Sequence, residues 1–369
     1  MIQIKQVTSQ KELKAFIKFN LQLYKDNTFC APPLIFDEVK TLDKTKNPAF
    51  DFCESMYWIA MENNKIVGRI AAIISQNEPD KNYGRIGFMD FVDHYDVSKM
   101  LLETASNWLK SKGKSKIHGP LGFTDLDRQG LLIEGFEEEG TMATIYNYPY
   151  YQNHFEALGF TKSTDWVEYQ LDIRKPFPPK LERLTEFIRN HYQVSTVKLN
   201  RKKDLDPYIK SVFKLINESY SELYGFTQLS DNQIEFYAKN YLGFVNLDLI
   251  SLIQNKEGKL IGVGICLPSF TKALQKAKGH LFPIGWFYML KALKKNETLD
   301  LYLIAIDKEW QNKGINALMM ESVYKNAQQF GIKYVETNIE LEDNKKVQSM
   351  WKYFDKKQHK RRRCYSKSI

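Results

Sequence analysis

A short glycine-containing run behind an apolar segment is the part of this sequence best suited to carry chemistry. Residues 302–306 read as a buried strand, and the polar turn Gln311–Asn316, with the pattern Gln-x-x-Gly-x-Asn, leads towards an amphipathic helix. Where a strand feeds a glycine turn and a helix begins, backbone N–H groups converge and the helix dipole favours negative charge. The pattern therefore predicts a site for an anionic ligand.

The elements around this turn resemble those of the GNAT acyltransferase superfamily, whose pyrophosphate loop reads Gln/Arg-x-x-Gly-x-Gly/Ala and binds acyl-coenzyme A. Beyond the helix, a second strand spans 333–340, and Asn344 opens a further helix. The resemblance implies an acyl-CoA cosubstrate, with acetyl-CoA as the expected donor. The residues that it assigns to the cofactor are Leu303, Ile304, Ala305 and Ile306 of the strand, Gln311, Asn312, Lys313, Gly314, Ile315 and Asn316 of the loop, and Asn344.

The resemblance also implies what each part of this site does. The strand splays from its neighbour, so that its backbone groups pair with the pantetheine arm and one N–H polarises the thioester carbonyl. Gly314 lets the backbone approach phosphate without a Cβ in the way. Asn316 departs from the usual Gly or Ala. Asn344 faces the pantetheine, serves as a helix N-cap, or does both.

A general base for an amine acceptor must be a carboxylate that reaches the acceptor directly or through water. Strand alternation puts Glu336, Asn338 and Glu340 on one face. If that face lines the cleft, Glu340 or Glu336 is the base; if it faces solvent, the pair is only an exposed acidic face. Asp307 and Glu309, at the end of the preceding strand, are alternatives.

The general acid is less well defined by the sequence. Counted from Asn344, the superfamily tyrosine that protonates the departing thiolate falls on Trp351, whose indole cannot do so. The helical spacing of Trp351 from neighbouring apolar residues predicts a core position. Either the thiolate leaves unaided, or another group such as Tyr302 or Tyr324 serves.

The chain of 369 residues is long enough for two cores, and the same order of elements occurs twice. A segment with three prolines, 172–179, separates the halves. The predicted fold is α/β with a mixed sheet, built as two tandem GNAT-like domains over 1–174 and 175–369. The first domain is degenerate, because no glycine lies between Phe88 and Lys112, where its loop would be.

Composition argues against membrane spans and metal sites. No apolar leader follows Met1, and the most apolar later stretch, 280–293, is too short to cross a bilayer, which predicts a cytoplasmic protein. The four scattered cysteines and six unpaired histidines predict reduced thiols and no metal. The net charge of +9 owes much to residues 356–363, which we interpret as an edge strand with a basic outer face; a nucleic-acid partner is less favoured.

An insertion, Pro268–Leu293, lies where a GNAT domain normally runs almost straight into the cofactor strand. It is rich in aromatic residues and lysine, and a long loop inside a domain tends to be a binding element. We expect it to pack against the first domain, with a lid over an apolar acceptor or acyl chain, or contact with a membrane surface, as alternatives. With the basic terminal strand, this insertion resembles a group of tandem bacterial proteins.

These features predict an N-acyltransferase that moves an acyl group, expected to be acetyl, from coenzyme A to the amine of a small molecule or peptide. Transfer would occur by direct attack in a ternary complex, since no cysteine lies where a covalent intermediate would need it. The alternative is a non-catalytic acyl-CoA binding or sensing protein, which Trp351 and the loop-less first half favour. Both hypotheses predict coenzyme A binding, but only the enzyme would release thiol from acyl-CoA.

Overall fold

The computed structural model describes residues 1–241, 243 and 245–369, which form one continuous mixed sheet with helices on both faces. The strands are β1 (Gln3–Gln6), β2 (Cys53–Glu62), β3 (Lys65–Ser75), β4 (Tyr83–Phe91), β5 (Lys116–Gly119), β6 (Leu131–Glu134), β7 (Thr161–Asp172), β8 (Ser195–Thr196), β9 (Ile250–Gln254), β10 (Leu260–Pro268), β11 (Thr298–Ile306), β12 (Tyr334–Glu336), β13 (Glu340–Leu341) and β14 (Asp355–Ser368). The helices are α1 (Gln10–Leu23), α2 (Ile35–Leu42), α3 (Tyr95–Ser111), α4 (Tyr150–Ala157), α5 (Pro179–Tyr192), α6 (Ile209–Tyr220), α7 (Asp231–Tyr241), α8 (Thr271–Ala277), α9 (Gly285–Lys294), α10 (Ile315–Gln329) and α11 (Lys345–Gln348).

The strand order along the main path of the sheet is β1-β2-β3-β4-β5-β14-β7-β12-β11-β10-β9-β8. Two adjacent pairs are parallel, β4 with β5 and β11 with β12, and they occupy equivalent places in the two halves. The other pairs along the path are antiparallel, so the sheet is mixed. The predicted mixed α/β fold class is confirmed.

Successive side chains of each strand point to opposite faces of the sheet, and helices pack on both faces. In the first half, Trp58 packs with α3 and α4, whereas the adjacent Tyr57 packs with α1 and α2. In the second half, Ile253 packs with α5 and α10, whereas the adjacent Leu252 packs with α6. The core therefore continues along both faces of the sheet from one half to the other.

One close approach between strand and helix is repeated in the two halves. A Cβ on Gly68 of β3 would lie 2.7 Å from Leu101 and 3.0 Å from Val97 of α3. A Cβ on Gly262 of β10 would lie 2.9 Å from Ile315 of α10, one helical turn before Met319 at 3.2 Å. Both strands need glycine where a helix crosses them, which supports duplication of one unit.

The strand β14 lies in the middle of the sheet rather than at its edge. It pairs with β5 on one side and with β7 on the other, and β7 in turn pairs with β12 of the second half. The final strand of each half is therefore inserted beside the other half. The basic segment is a strand as predicted, but the prediction of an edge strand is wrong. The domain boundary at residue 174 stays a prediction.

Buried carboxylates neutralise the inward-facing basic residues of β14. Lys360 Nζ lies 3.2 Å from Glu168 Oε2 and 3.2 Å from Glu336 Oε2, and Arg362 forms an ion pair with Glu168. The side chains of Lys360, Arg362 and Glu168 are at most 1% exposed. Burial alone would raise the pKa of Glu168, but Arg362 and Lys360 hold it below its ordinary value. Charges removed from water in this way are stable only as a matched set.

Replacing Lys360 with Met should destabilise the fold strongly, because Glu168 and Glu336 would keep their buried charge while the cation that both contact is lost. The expected loss is about 3–5 kcal/mol in the free energy of unfolding. Lys357→Met is the matched control: Lys357 is exposed and pairs with Glu138, so its loss should stay below about 1 kcal/mol. Urea denaturation followed by circular dichroism measures both, and equal losses would contradict a structural role for the buried ions.

Candidate active site

The strand β11 separates from β12 after three paired residues. The pairing covers Thr298–Asp300, and beyond it the side-chain amide of Asn338 reaches across to the carbonyl of Tyr302 at 3.0 Å. The N–H of Asp307 bonds back to β10 at the carbonyl of Ile261, 2.9 Å away. Because backbone direction alternates along a strand, Ile304 and Ile306 turn their N–H and C=O groups into the gap. The predicted splay is therefore present.

Hydroxyl groups of α6 occupy the backbone positions in this gap. The N–H of Ile304 donates to the Tyr220 hydroxyl at 3.3 Å, and the same hydroxyl donates to the Ile304 carbonyl at 2.9 Å. The Ser219 hydroxyl donates to the carbonyl of Ile306 at 3.0 Å. The strand edge is thus bonded to side chains rather than to another strand. Leu303 and Ala305, the other strand residues predicted to hold cofactor, alternate towards β10.

The glycine loop forms the N-terminus of α10. Gly314 is the N-cap residue at φ 80°, and the N–H groups of Lys313 and Gly314 donate to no acceptor in the described part of the chain. Asn312 is also left-handed, at φ 62°. The ammonium of Lys313 lies 4.7 Å from the ring centroid of Trp310. Unbonded N–H groups, a lysine and a helix N-terminus together form an arrangement that suits an anion.

The other loop residues have local structural roles. Gln311 donates to the Ile306 carbonyl at 3.4 Å, Ile315 is fully buried, and Asn316 lies half-buried in the first turn of the helix. Asn344 accepts from the N–H of Val347 at 3.3 Å, so the N-cap interpretation is confirmed. Its contact with pantetheine stays a prediction.

The two predicted catalytic glutamates lie in different environments, because residues 337–339 interrupt the strand that would have put them on one face. Glu336 is buried among Lys360 and His359, which outweigh desolvation and hold its pKa below the ordinary value. Glu340 accepts from the indole of Trp351 at 2.7 Å, and its Oε2 has no partner in the described chain. Burial raises the pKa of Glu340 to about 8, against the lowering effect of Trp351.

The remaining acid and base alternatives have other partners. Asp307 caps the turn at Glu309 and lies 2.7 Å from Lys259, while the carboxylate of Glu309 is exposed. The hydroxyl of Tyr324 donates to the carbonyl of Lys175 in the core on the α10 side. Trp351 is 3% exposed, so its predicted core position is confirmed. Neither Asp307 nor Tyr324 has a free polar atom aimed at the gap.

A loop of the first half brings acidic groups to this region that the sequence reading missed. Arg85 of β4 donates to the carbonyl of Gly122 in the loop after β5, at 3.2 Å. The same guanidinium donates to Gly225 and Thr227, which follow α6 in the second half, at 2.8 and 3.1 Å. One buried arginine therefore joins this loop to the segment behind Tyr220.

Two aspartates of this loop differ sharply in their bonding. Asp127 accepts from the N–H groups of Phe123 and Thr124 at 2.8 and 3.1 Å, so it shapes the loop. Asp125 has a buried Oδ1 without a partner in the described chain. Burial raises the pKa of Asp125 to about 7, although Arg85 lowers it, and the Asp125 charge acts on Tyr220. Asp125 is thus a carboxyl group with a pKa near 7 that lies beside the gap.

Two tyrosines contribute protonated hydroxyl groups on this side. Burial raises the pKa of Tyr220 to about 12. It also raises the pKa of Tyr302 to about 12, against the lowering effect of Arg128, a residue of the same first-half loop. Tyr302 was predicted as a candidate, whereas Tyr220 and Asp125 were not. The two glycines and two aspartates of 119–127 were the available signal. Among the described residues, no three His, Cys, Asp or Glu side chains form a group that could hold a metal ion.

Residues 209–355 match the model of the family described as Acetyltransferase (GNAT) family. Protein YghO from Escherichia coli (strain K12) is 28% identical over 98% of this chain and 94% of its own length. Bacterial ceramide synthase from Caulobacter vibrioides (strain NA1000 / CB15N) is 25% identical over 98% of this chain and 96% of its own. A solved tandem GNAT protein from the clavulanic acid biosynthesis pathway covers 100% of this chain and 98% of its own, with a TM-score of 0.59 and 12% identity, which shows a shared fold.

The alanine variant of Gly314 should lose stability for two separable reasons. Its φ of 80° strains any residue with a side chain, and a Cβ would lie 2.4 Å from Ile188 of α5. Gly258 is the matched control, with φ 79° and nothing within 4 Å. We expect Gly258→Ala to lower the free energy of unfolding by about 1–2 kcal/mol through backbone strain alone. Gly314→Ala should lower it by about 2–4 kcal/mol.

Thermal and urea unfolding of both variants measure this difference. Equal losses would mean that Ile188 moves aside and that the loop is not held against α5. Because Gly314 carries this packing, a substitution elsewhere in the loop is the cleaner probe of ligand binding.

Proposed function

Because residues 209–355 match the GNAT family model and the whole chain shares the fold of a solved tandem GNAT protein, we propose that the protein transfers an acyl group from coenzyme A to an amine. The observation that carries the proposal is the strand edge at Ile304, which pairs with side chains and not with a neighbouring strand. Its N–H and C=O are bonded only to the Tyr220 hydroxyl, at 3.3 and 2.9 Å. A pantetheine amide offers the same donor and acceptor, so it can exchange with a side chain at little net cost.

The glycine loop supports the direction in which the cofactor would lie. Gln311–Asn316 follows the splayed strand after the short turn 307–310, so a pyrophosphate at the N-terminus of α10 would continue into a pantetheine arm along Ile304 and Ile306. Lys313 would contribute positive charge to the phosphates, and the unbonded N–H groups would donate to them. The thioester carbonyl would then accept from a strand N–H, which stabilises the oxyanion of the tetrahedral intermediate.

Asp125 is the general base that we propose, with Glu340 as its competitor. The acceptor arrives as an ammonium ion, and its proton passes to the carboxylate directly or through water. The free amine attacks the thioester carbon and the new C–N bond forms; the nitrogen then loses its second proton to water, the C–S bond breaks, and the thiolate leaves. Tyr220 or Tyr302 is protonated at neutral pH and offers a proton to the thiolate. Water can donate this proton equally well, because a thiolate is a modest base.

A long-chain amine is the acceptor class that we favour. Bacterial ceramide synthase is among the relatives similar along the whole chain, and a ceramide is the amide of a long-chain amine. Tyr302 belongs to an apolar cluster with Leu267, Phe270 and Met289, which suits a hydrocarbon chain. The acyl group is acetyl or a longer chain.

The second candidate is a protein that binds acyl-CoA without turnover. Two observations favour it: Tyr220 occupies the strand edge, and Trp351 stands where the family resemblance expects a tyrosine acid. This candidate predicts coenzyme A binding without acyl-dependent release of thiol.

Acetyl-CoA and palmitoyl-CoA should bind the wild-type protein in calorimetric titrations, and Lys313→Glu should weaken binding. Replacing a cation by an anion beside pyrophosphate is expected to cost about 10- to 100-fold in affinity. Lys65→Glu, the same charge change on an exposed turn of the first half, should leave affinity unchanged. If both variants weaken binding equally, the effect is one of net charge, and if the wild type binds neither thioester, both candidate functions are excluded.

Asp125→Asn should lower kcat/KM for a long-chain alkylamine by about 10²–10⁴-fold while acyl-CoA affinity is retained. The active base is the deprotonated carboxylate, so wild-type kcat/KM should rise with pH through about 7, the raised pKa of Asp125. Thiol release measures both. Glu340→Gln is the competing variant: if it abolishes turnover and the rise lies near pH 8, the value for Glu340, then Glu340 is the base.

A further inference from the structure

Five large apolar side chains are exposed within a short part of the insertion. Their exposed fractions are 74% for Phe282, 56% for Ile284, 44% for Trp286, 53% for Phe287 and 46% for Leu290. All lie in or just before α9, and we call them the aromatic face. Proteins that stay free in solution rarely concentrate exposed apolar residues in this way, so the face has a partner.

The insertion is held firmly on its other side. The Thr271 hydroxyl donates to the carbonyl of Gly140 at 2.7 Å, and the Gln275 amide donates to the carbonyl of Thr28 at 2.6 Å. The carbonyl of Gly279 accepts from Ile35 at 3.0 Å. The expected packing against the first half is therefore present. Because α8 makes these contacts, α9 presents its outer side to solvent on a fixed support.

The segment that contains the aromatic face has charged residues of one sign only. Between residues 270 and 295 the chain has no Asp or Glu. The lysines of this segment are Lys272, Lys276, Lys278, Lys291, Lys294 and Lys295. In the described part of the chain, Lys272 alone among them forms an ion pair, with Glu139 at 3.8 Å. The remaining positive charge is available to an anionic partner.

We propose that the aromatic face docks on the surface of a bilayer that contains anionic lipids. A helix with Trp, Phe and Leu on one side and lysines around it lies in the interface, where the rings enter the headgroup region and the ammonium groups meet phosphates. No helix among the described residues combines the length and apolar character needed to cross a bilayer. The proposed docking places the protein on the membrane surface through this face.

A second copy of the chain fits the same face poorly. Two identical faces that met about a two-fold axis would bring the same lysines together, with no carboxylate in the segment to separate them. An anionic lipid surface satisfies the apolar and charged parts together. Charge complementarity therefore favours lipid over self-association.

The position of the aromatic face gives the docking a consequence for substrate entry. Met289, on the inner side of α9, shares an apolar cluster with Tyr302 of the splayed strand. The helix that would touch the bilayer therefore covers the region beside the strand edge. An acceptor with a hydrocarbon chain would reach that region from the membrane. The docking itself does not depend on the reaction.

Vesicle flotation of the purified full chain, without coenzyme A, tests the docking. The protein should float with vesicles of phosphatidylglycerol and phosphatidylcholine but only weakly with pure phosphatidylcholine, and binding should fall as salt rises. Phe282→Ser with Phe287→Ser should lower the bound fraction at least tenfold. Lys291→Glu with Lys294→Glu should do the same for anionic vesicles. Phe187→Ser, at an exposed phenylalanine of α5, is the matched control and should bind as the wild type.

Tryptophan emission adds a readout at the face itself. Vesicles should shift the wild-type spectrum to the blue, and Trp286→Phe should abolish the shift while flotation persists. The proposal is overturned if the wild type binds neither vesicle type, if both double variants bind normally, or if the wild type is a dimer that Phe282→Ser with Phe287→Ser dissociates. If acyl transfer fails while flotation holds, the proposed reaction is wrong and the docking surface stands.

Discussion

The insertion of β14 between β5 and β7 is the constraint on which both sides of the gap beside β11 depend. Tyr365 pairs with Gly119 at the end of β5, so this register determines where the loop that contains Asp125 begins. On the other side, β7 pairs with Val335 and its neighbours in β12, and β12 leaves β11 after Asp300. One strand therefore fixes the first-half loop and the second-half splay relative to each other. Lys360 and Arg362 hold that strand in register through buried charge.

The equivalent strand edges of the two halves are bonded to different side chains. The register of Gly68 with Phe91 corresponds to that of Gly262 with Ile306. In the first half, Phe91 donates to the hydroxyl of Tyr151 at 2.9 Å and accepts from Tyr150 at 2.6 Å. Both tyrosines belong to α4 and pack in the core cluster around it, so side chains of the core fill this edge.

In the second half, Tyr220 and Ser219 fill the edge from the last turn of α6. No glycine loop follows the first-half strand, whereas Gly314 follows the second. In the first half, the corresponding strand edge is therefore part of a core. The loop that contains Asp125 belongs to the first half, and the paired halves bring it beside Tyr220.

Local patterns predicted the elements of this fold, and long-range pairing determined the rest. Apolar spacing identified the strand that ends at Ile306 and the helix that begins at Ile315, because both signals lie within a few residues. Asp125 was missed because its neighbour Tyr220 is distant in sequence and meets it only through the packing of the two halves. The partners of Lys360 were missed for the same reason: a run of basic residues looks exposed until a strand such as the one containing Glu168 is known to lie beside it.

The position of β14 in the chain also orders how the molecule can be built. During synthesis, β5 and β7 emerge long before their shared neighbour, so the nascent sheet has open edges on both sides of one missing strand. Open edges bind other strands, and pairs distant in sequence form slowly. The two halves therefore cannot mature one after the other as separate domains would. The sheet is complete only after residues 355–368 have emerged from the ribosome. The pairing that joins the two halves therefore forms only when both halves have been translated.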